Sequence, residues 1–451
     1  MQGMLKAGSA RIDITPPLGT RIAGSFRPRY AEQIDDPLFA KALVLENGTT
    51  RIALVTCDLI AIPEHIAEAA KARIAERCGI PAAHVMINAT HTHTAPAVAD
   101  LLGVDAETAY CADVPFRIAD AVECAVQRLQ QARIGFASAD EGRISFNRRW
   151  KMKDGTVRMN PGVEHPDRVA PTGPIDPQVA MLFVEATDGT PISAVVNFSL
   201  HYVGTDNGAA ISADYFGHFD RLMQRYLGAS CIALLWNAAS GQINNIDYSG
   251  ERRWTHRGHQ QALKMANVLA GHLLTEMPLM VMQEEVALSG ELATLRFRRK
   301  QITEADLQTA ERILSAPEGS PFRYDTGPFD WVVGQPIPQS VVDVYARECQ
   351  RLAKLPLEMS TPLQVLRLGA AAIIAIPGEV FVETGLRIKA DSDAHPLFLV
   401  SLANGYIGYI CTDRALRAEG GYETWAALSS LPDIGTTGEI ERVVSALLDK
   451  E

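Results

Sequence analysis

Ala42-Leu-Val-Leu-Glu-Asn-Gly-Thr-Thr-Arg-Ile-Ala-Leu-Val-Thr56 is the stretch from which the fold is read. Two apolar runs flank an Asn47-Gly48 dipeptide, which supplies the positive φ angles of a tight turn between antiparallel strands. The return strand ends at Cys57-Asp58. The plan recurs twice: Val179 to Leu200 turns at Asp188-Gly189 and ends at His201, and Leu363 to Ile376 turns at Gly369 and ends at Pro377-Gly378-Glu379. Each return strand thus delivers a polar or metal-capable residue to a strand end, a rigid place on which to build a site. Helical periodicity lies between the hairpins. Pro63 to Cys78 carries Ile66, Ala69, Ala70, Ile74 and Ala75 at helical spacing and stops at Gly79. Residues 107–131, 214–227, 255–276, 303–315, 339–353 and 437–449 read the same way. No Ser/Gly-rich or Pro-rich linker divides the chain. The pattern predicts one α/β (mixed α+β) domain over 1–451, with a large mixed β-sheet core and flanking helices. Residues 300–358, two helical patterns around a Pro/Gly/aromatic loop, are the expected insertion or lid, in which Phe329 and Trp331 are candidates to line an acyl pocket or to pack the lid.

The chain has 451 residues, of which 47% are hydrophobic and 21% charged, a globular composition. Its net charge of −11 opposes phosphate backbones and anionic lipid, so neither nucleic acid nor a membrane surface is an expected partner. The same balance disfavours strongly anionic substrates, except through Arg148 and Arg149. No stretch approaches the roughly 18 apolar residues of a membrane span. The start of the chain has no apolar signal core, and seven scattered cysteines form no CxxC pair. Both features predict a cytoplasmic protein with reduced thiols.

After the apolar strand Val85-Met-Ile-Asn88 comes Ala89-Thr-His-Thr-His-Thr-Ala-Pro96. In extended backbone, residues two apart face the same way, so His91 and His93 are expected to converge on one point. Imidazole is the commonest zinc ligand, and the flanking threonines are candidates to fix its tautomer. Ordinary satisfied histidines produce the same pair, so the rest of a ligand set decides the matter. His201 sits at a strand end, and Glu379 follows a buried strand, where a carboxylate needs a partner and a cation is one.

These residues lie within a longer set. The Thr90–Pro96 element resembles the His-Thr-His element of the neutral/alkaline (non-lysosomal) ceramidases. The resemblance continues in order through Arg11-Ile-Asp-Ile-Thr-Pro16, Asn147-Arg148, Asn160-Pro161, Asn197-Phe-Ser-Leu-His201, Ile211-Ser-Ala-Asp214, Ile374-Ala-Ile-Pro-Gly-Glu379, Leu402-Ala-Asn-Gly-Tyr-Ile-Gly-Tyr409 and Gly421-Tyr-Glu423. The resemblance implies a Zn²⁺ ion held by His91, His201, Glu379 and Tyr409. It implies His93 as proton shuttle or substrate contact, and Arg148 and Tyr422 as contacts to substrate or the developing oxyanion. Such a donor set suits zinc, which acidifies bound water to nucleophilic hydroxide near neutral pH.

The chain also departs from that family. Where the ceramidases carry a serine facing the zinc, Asn237-Ala-Ala-Ser-Gly-Gln-Ile-Asn-Asn245 places Asn244, with Ser240 across the glycine. An amide is no nucleophile, so attack falls to metal-bound water, with Gln242 and Asn244 as substrate contacts. The 451 residues are expected to hold the family's catalytic domain without its C-terminal β-sandwich domain. The function implied is zinc-dependent hydrolysis of an amide (N-acyl) bond in a small soluble substrate, without stable membrane association and with an oligomer possible. An esterase or lactonase, and an inactive metal-stabilised binding relative, are the alternatives.

Overall fold

The computed structural model describes residues 3–163, 165–252, 256–317 and 339–449. Phe329 and Trp331 lie outside the described residues. Among those residues, eight strands form the main sheet: Lys6–Asp13 (β1), Phe39–Glu46 (β2), Arg51–Cys57 (β3), Val85–Ala89 (β4), Gln130–Asp140 (β5), Gln178–Ala186 (β6), Pro191–Phe198 (β7) and Ile232–Asn237 (β8). Their order is β8-β7-β6-β5-β1-β2-β3-β4. The β2/β3 hairpin pairs Leu43 with Leu54, and the β6/β7 hairpin pairs Leu182 with Val195. The edge pairs β3/β4 and β7/β8 are parallel, so the sheet is mixed, as the sequence predicts.

The sheet bends where β1 meets β5. These strands pair only at Lys6 and Ala7, and the two halves fold onto one another. Trp236 Nε1 donates to Thr56 Oγ1 across the fold at 2.9 Å, and Ser9 Oγ donates to the Ile192 carbonyl at 2.7 Å. This bend brings the end of β4 against the end of β7.

A second sheet of Leu288–Arg298 (β9), Glu358–Leu368 (β10), Ala371–Ala375 (β11) and Leu397–Val400 (β12) packs beside it in that order. The third predicted hairpin is β10/β11, turning at Gly369. Strand alternation assigns each side chain to a layer. Leu43 and Leu45 of β2 join Leu366, Ile373 and Phe398 in the core between the sheets, while Ala42 and Val44 face the helices. Likewise Leu182 points inward and Met181 and Phe183 outward. Burial on both faces explains why these strands read as continuous apolar runs.

Glu64–Cys78 (α1) and Thr108–Gln127 (α2) cover one half of the main sheet, and Asp214–Leu227 (α3) and His259–Glu276 (α4) the other. Glu304–Leu314 (α5) and Gln339–Leu352 (α6) pack on each other, and Val382–Ala390 (α7) and Thr436–Leu448 (α8) cover the second sheet. Three details differ from the sequence reading. The buried face of α1 is Ile66, Ala67, Ala70, Lys71 and Ile74, whereas Ala69 and Ala75 are exposed; alanine is too small to tell one flank of the stripe from the other. The pattern over 107–131 overran α2 into β5, and α7 gave no expectation because it is only nine residues long.

Candidate metal centre

His91 follows β4 by two residues. Its N–H donates to the Leu59 carbonyl and that of Thr90 to Cys57, both at 2.9 Å, so the exit of β3 holds the histidine turn in place. His91 has φ +73°. It is therefore left-handed rather than extended, and the alternation argument for His91 and His93 is corrected: the two rings converge through a strained turn. Such strain persists only where surrounding bonds over-determine the backbone.

The rings do meet. His91 Nε2 stands 3.1 Å from His201 Nε2 and 3.1 Å from His93 Nε2. Each ring's other nitrogen contacts a main-chain carbonyl: His91 Nδ1 to Ile60 O at 2.7 Å, His201 Nδ1 to Ser240 O at 3.1 Å, and His93 Nδ1 to Gly24 O at 3.1 Å. A carbonyl only accepts, so each Nδ1 carries the hydrogen. Burial first, and then nearby cationic and imidazole groups, push His93 and His201 well below the ordinary histidine range, so these rings are neutral. Each of these two rings therefore presents an unprotonated Nε2 toward His91 Nε2, an arrangement that a cation among them would stabilise.

Glu379 adds a fourth lone-pair group. Its Oε1 accepts from the Tyr406 hydroxyl at 2.8 Å. Its Oε2, 3.4 Å from His91 Nε2 and 3.7 Å from His201 Nε2, is buried without a hydrogen-bond donor. Ligand atoms about 2.0–2.2 Å from a tetrahedral ion lie roughly 3.3–3.6 Å from each other, close to the spacings seen here. The three imidazole ligand atoms all lie within 4.8 Å of one another and could hold a metal ion.

Tyr409 is in register beside Glu379, in a two-residue parallel bridge. Its hydroxyl contacts Tyr422 OH and Arg148 Nη2, the latter at 3.2 Å. Burial, followed by the charge of Glu379, raises its pKa well above the ordinary phenol value, so it is protonated in the metal-free protein. Arg148 also reaches Tyr422 OH at 3.2 Å and the Gly241 carbonyl at 2.8 Å, while its Nε donates to Glu423 at 3.3 Å. Glu423 is fully buried and also accepts from Arg149 Nη1 at 2.9 Å.

The second expected shell is partly committed elsewhere. The Gln242 side chain accepts from the Val382 N–H at 3.0 Å and donates to Glu383 at 2.5 Å, so its amide ties the 240–244 loop to the first turn of α7. Asn244 donates to Asn160 Oδ1 at 2.9 Å and accepts from the Ile246 N–H at 3.0 Å. Tyr202, Tyr406 and Glu423 were not assigned roles from sequence. Each is one or a few residues from a chosen residue, and tyrosine or glutamate at such places carries no periodic signal of its own.

Tyr202 stacks on His93 with centroids 3.6 Å apart and planes 15° apart. Gly24, at φ +84°, approaches the Nδ1 edge of the ring so closely that an added Cβ would lie 2.5 Å from His93 Nδ1. Gly24→Ala must therefore displace the His93 ring while leaving His91, His201 and Glu379 untouched. If His93 transfers a proton, the expected outcome is a loss in kcat of about 100-fold, the cost of displacing a reacting group by about 1 Å, with metal content unchanged. Metal loss in this variant would show that the glycine supports the whole cluster.

This geometry can be set beside solved structures. The neutral ceramidase from Pseudomonas aeruginosa superposes with a TM-score of 0.71 over 98% of this chain and 74% of its own, at 20% identity. A structure described as ceramidase complexed with C2 matches with a TM-score of 0.71 and the same coverage, at 19% identity. The fold is that of the neutral ceramidases. No protein-family model and no curated protein sequence matches the chain. The ceramidase fold thus carries, at the ends of β4, β7 and β11, the three segments whose polar residues converge.

Proposed function

We propose that this chain is a zinc-dependent amidohydrolase that cleaves the N-acyl bond of a small soluble substrate. The observation that carries the reading is the convergence of His91, His201 and the donor-less Glu379 Oε2, with His93 beside them. Two imidazoles and a carboxylate, with the Tyr409 phenol adjacent, are a donor set suited to zinc. Zinc bound there supplies Lewis acidity and water acidified toward neutral pH.

The remaining roles belong to the chain's own groups. Arg148 Nη1 has no protein partner among the described residues, and with the Tyr422 hydroxyl it stabilises charge developing on the carbonyl oxygen. Glu423 holds that guanidinium in place. His93 Nε2 carries no proton at rest, so it takes one from the attacking water and returns it to the leaving nitrogen. Tyr202 and Gly24 keep its ring in position. Asn244 stands at the position of the family's serine and acts as a polar wall rather than a nucleophile.

The test is elemental analysis of the purified protein, followed by hydrolysis of an amide and its matched ester. One zinc per chain and turnover of both are expected, since the same centre cleaves the more reactive ester. Turnover of the ester alone would make the protein an esterase or lactonase. Zinc without turnover of either would make it a binding relative.

A further inference from the structure

The wall beside His93 carries positive charge that the protein does not neutralise. Arg29 donates to three main-chain carbonyls, Gly208 O at 2.9 Å, Ala23 O at 2.6 Å and His93 O at 2.8 Å, and its buried Nε has no partner. Among the described residues no carboxylate lies within ion-pair distance of it. Arg257, just before α4, is exposed and likewise has no acidic partner among the described residues. The nearby Asp206 accepts instead from the His259 N–H at 3.3 Å.

Arg257 is close to the site. A Cβ placed on Gly204 would stand 3.5 Å from Tyr202 Cε2 and 3.8 Å from Arg257 Cδ. The stem of Arg257 and the edge of Tyr202 thus share one glycine shelf, and the Tyr202 ring lies on His93. Burial, and then the like charge of Arg257 against a raising influence from Tyr202, lower Arg29 from its ordinary value. The other arginines near the centre are paired: Arg148 and Arg149 with Glu423, and Arg414 with Glu383 and Glu419.

We propose that the site prefers amides bearing an anionic group at the end remote from the scissile bond, which Arg257 meets at the mouth while Arg29 attracts it from behind. This rests on the amidohydrolase reading and names its substrate class. It reverses the expectation drawn from net charge, because a sum over the whole surface does not report the local field in a cleft.

The test is calorimetric binding to the zinc-loaded protein, which does not depend on turnover. The probes are N-butyryltaurine and the matched neutral N-butyrylethanolamine, with N-propylsuccinamate and N-propylbutyramide as the pair charged on the acyl side. A sulfonate is a poor zinc ligand, so the first pair separates arginine recognition from metal binding. In at least one pair the anion is expected to bind about tenfold tighter at low salt, and the preference to shrink at high salt. Arg257→Gln is expected to bring the two members of that pair to parity with an unchanged melting temperature. Equal binding within both pairs, no binding by any probe, or a preference that survives Arg257→Gln would overturn the proposal. Failure of the bound probes to hydrolyse would overturn the amidohydrolase reading alone.

Discussion

Glu379→Gln is expected to lower hydrolysis by about a thousandfold and, in the metal-free protein, to raise stability. Both signs follow from the same geometry. With zinc bound, the Glu379 carboxylate would supply formal negative charge that the neutral imidazole donors cannot; losing it weakens the centre by several kcal/mol, and each 1.36 kcal/mol is tenfold in rate. Without zinc, Glu379 Oε2 is buried beside His91 Nε2 and His201 Nε2 and has no hydrogen bond of good geometry. Glutamine is nearly isosteric. Its carbonyl still accepts from Tyr406, and its amide N–H donates to a lone pair on His91 or His201. Relieving one unsatisfied buried group is worth about 1–3 kcal/mol. The measurement is denaturation of the apo forms beside zinc titration of both proteins. An apo variant less stable than apo wild type would mean that Glu379 has a partner in solution and that the cluster is not waiting for a cation.

Glu423→Gln is expected to cost about 3–5 kcal/mol of stability, the usual range for removing one partner of a buried ion pair. Glu423 is fully buried and joins Arg148 to Arg149, which are themselves 4% and 1% exposed. The substitution creates no cavity, so the loss measures the charge and the one acceptor that the amide NH₂ cannot replace: two guanidiniums remain in a dry environment, with Glu419 near Arg149 as the remaining carboxylate among the described contacts. Urea denaturation reads the effect as a lower midpoint at unchanged slope. Activity is expected to fall with it, because the Arg148 side chain loses its anchor while metal content stays the same. A cost below about 1 kcal/mol would show that carbonyls such as Gly241 O and Gly420 O, rather than Glu423, hold the arginine pair.

The hairpins at Asn47-Gly48, Asp188-Gly189 and Gly369 were legible because turn chemistry and unbroken apolar runs are local signals. They placed His201 and Glu379 correctly at strand ends. His91 shows the limit of that reasoning. Its left-handed backbone is held by the His91 N–H bond to Leu59 O, and its ring by Ile60 O, both in the loop that follows β3 about thirty residues earlier, and no spacing rule reports it. Gln242 makes the same point: its neighbourhood resembled a substrate contact, yet its amide is consumed by Val382 and Glu383 of an element too short to announce itself.

What the sequence determined alone is the mixed sheet with flanking helices, because strand and helix periods and turn residues act over a few residues at a time. It also nominated the imidazoles and the carboxylate. Only the tertiary structure decided that the main sheet folds back at Lys6 and Ala7, so that His91 and His201 touch, that a second sheet packs against the first, and that Arg29 and Arg257 stand beside them without a carboxylate partner among the described residues. Those outcomes depend on contacts between residues more than a hundred positions apart, where net charge, composition and periodicity carry no information about which groups are left to neutralise one another.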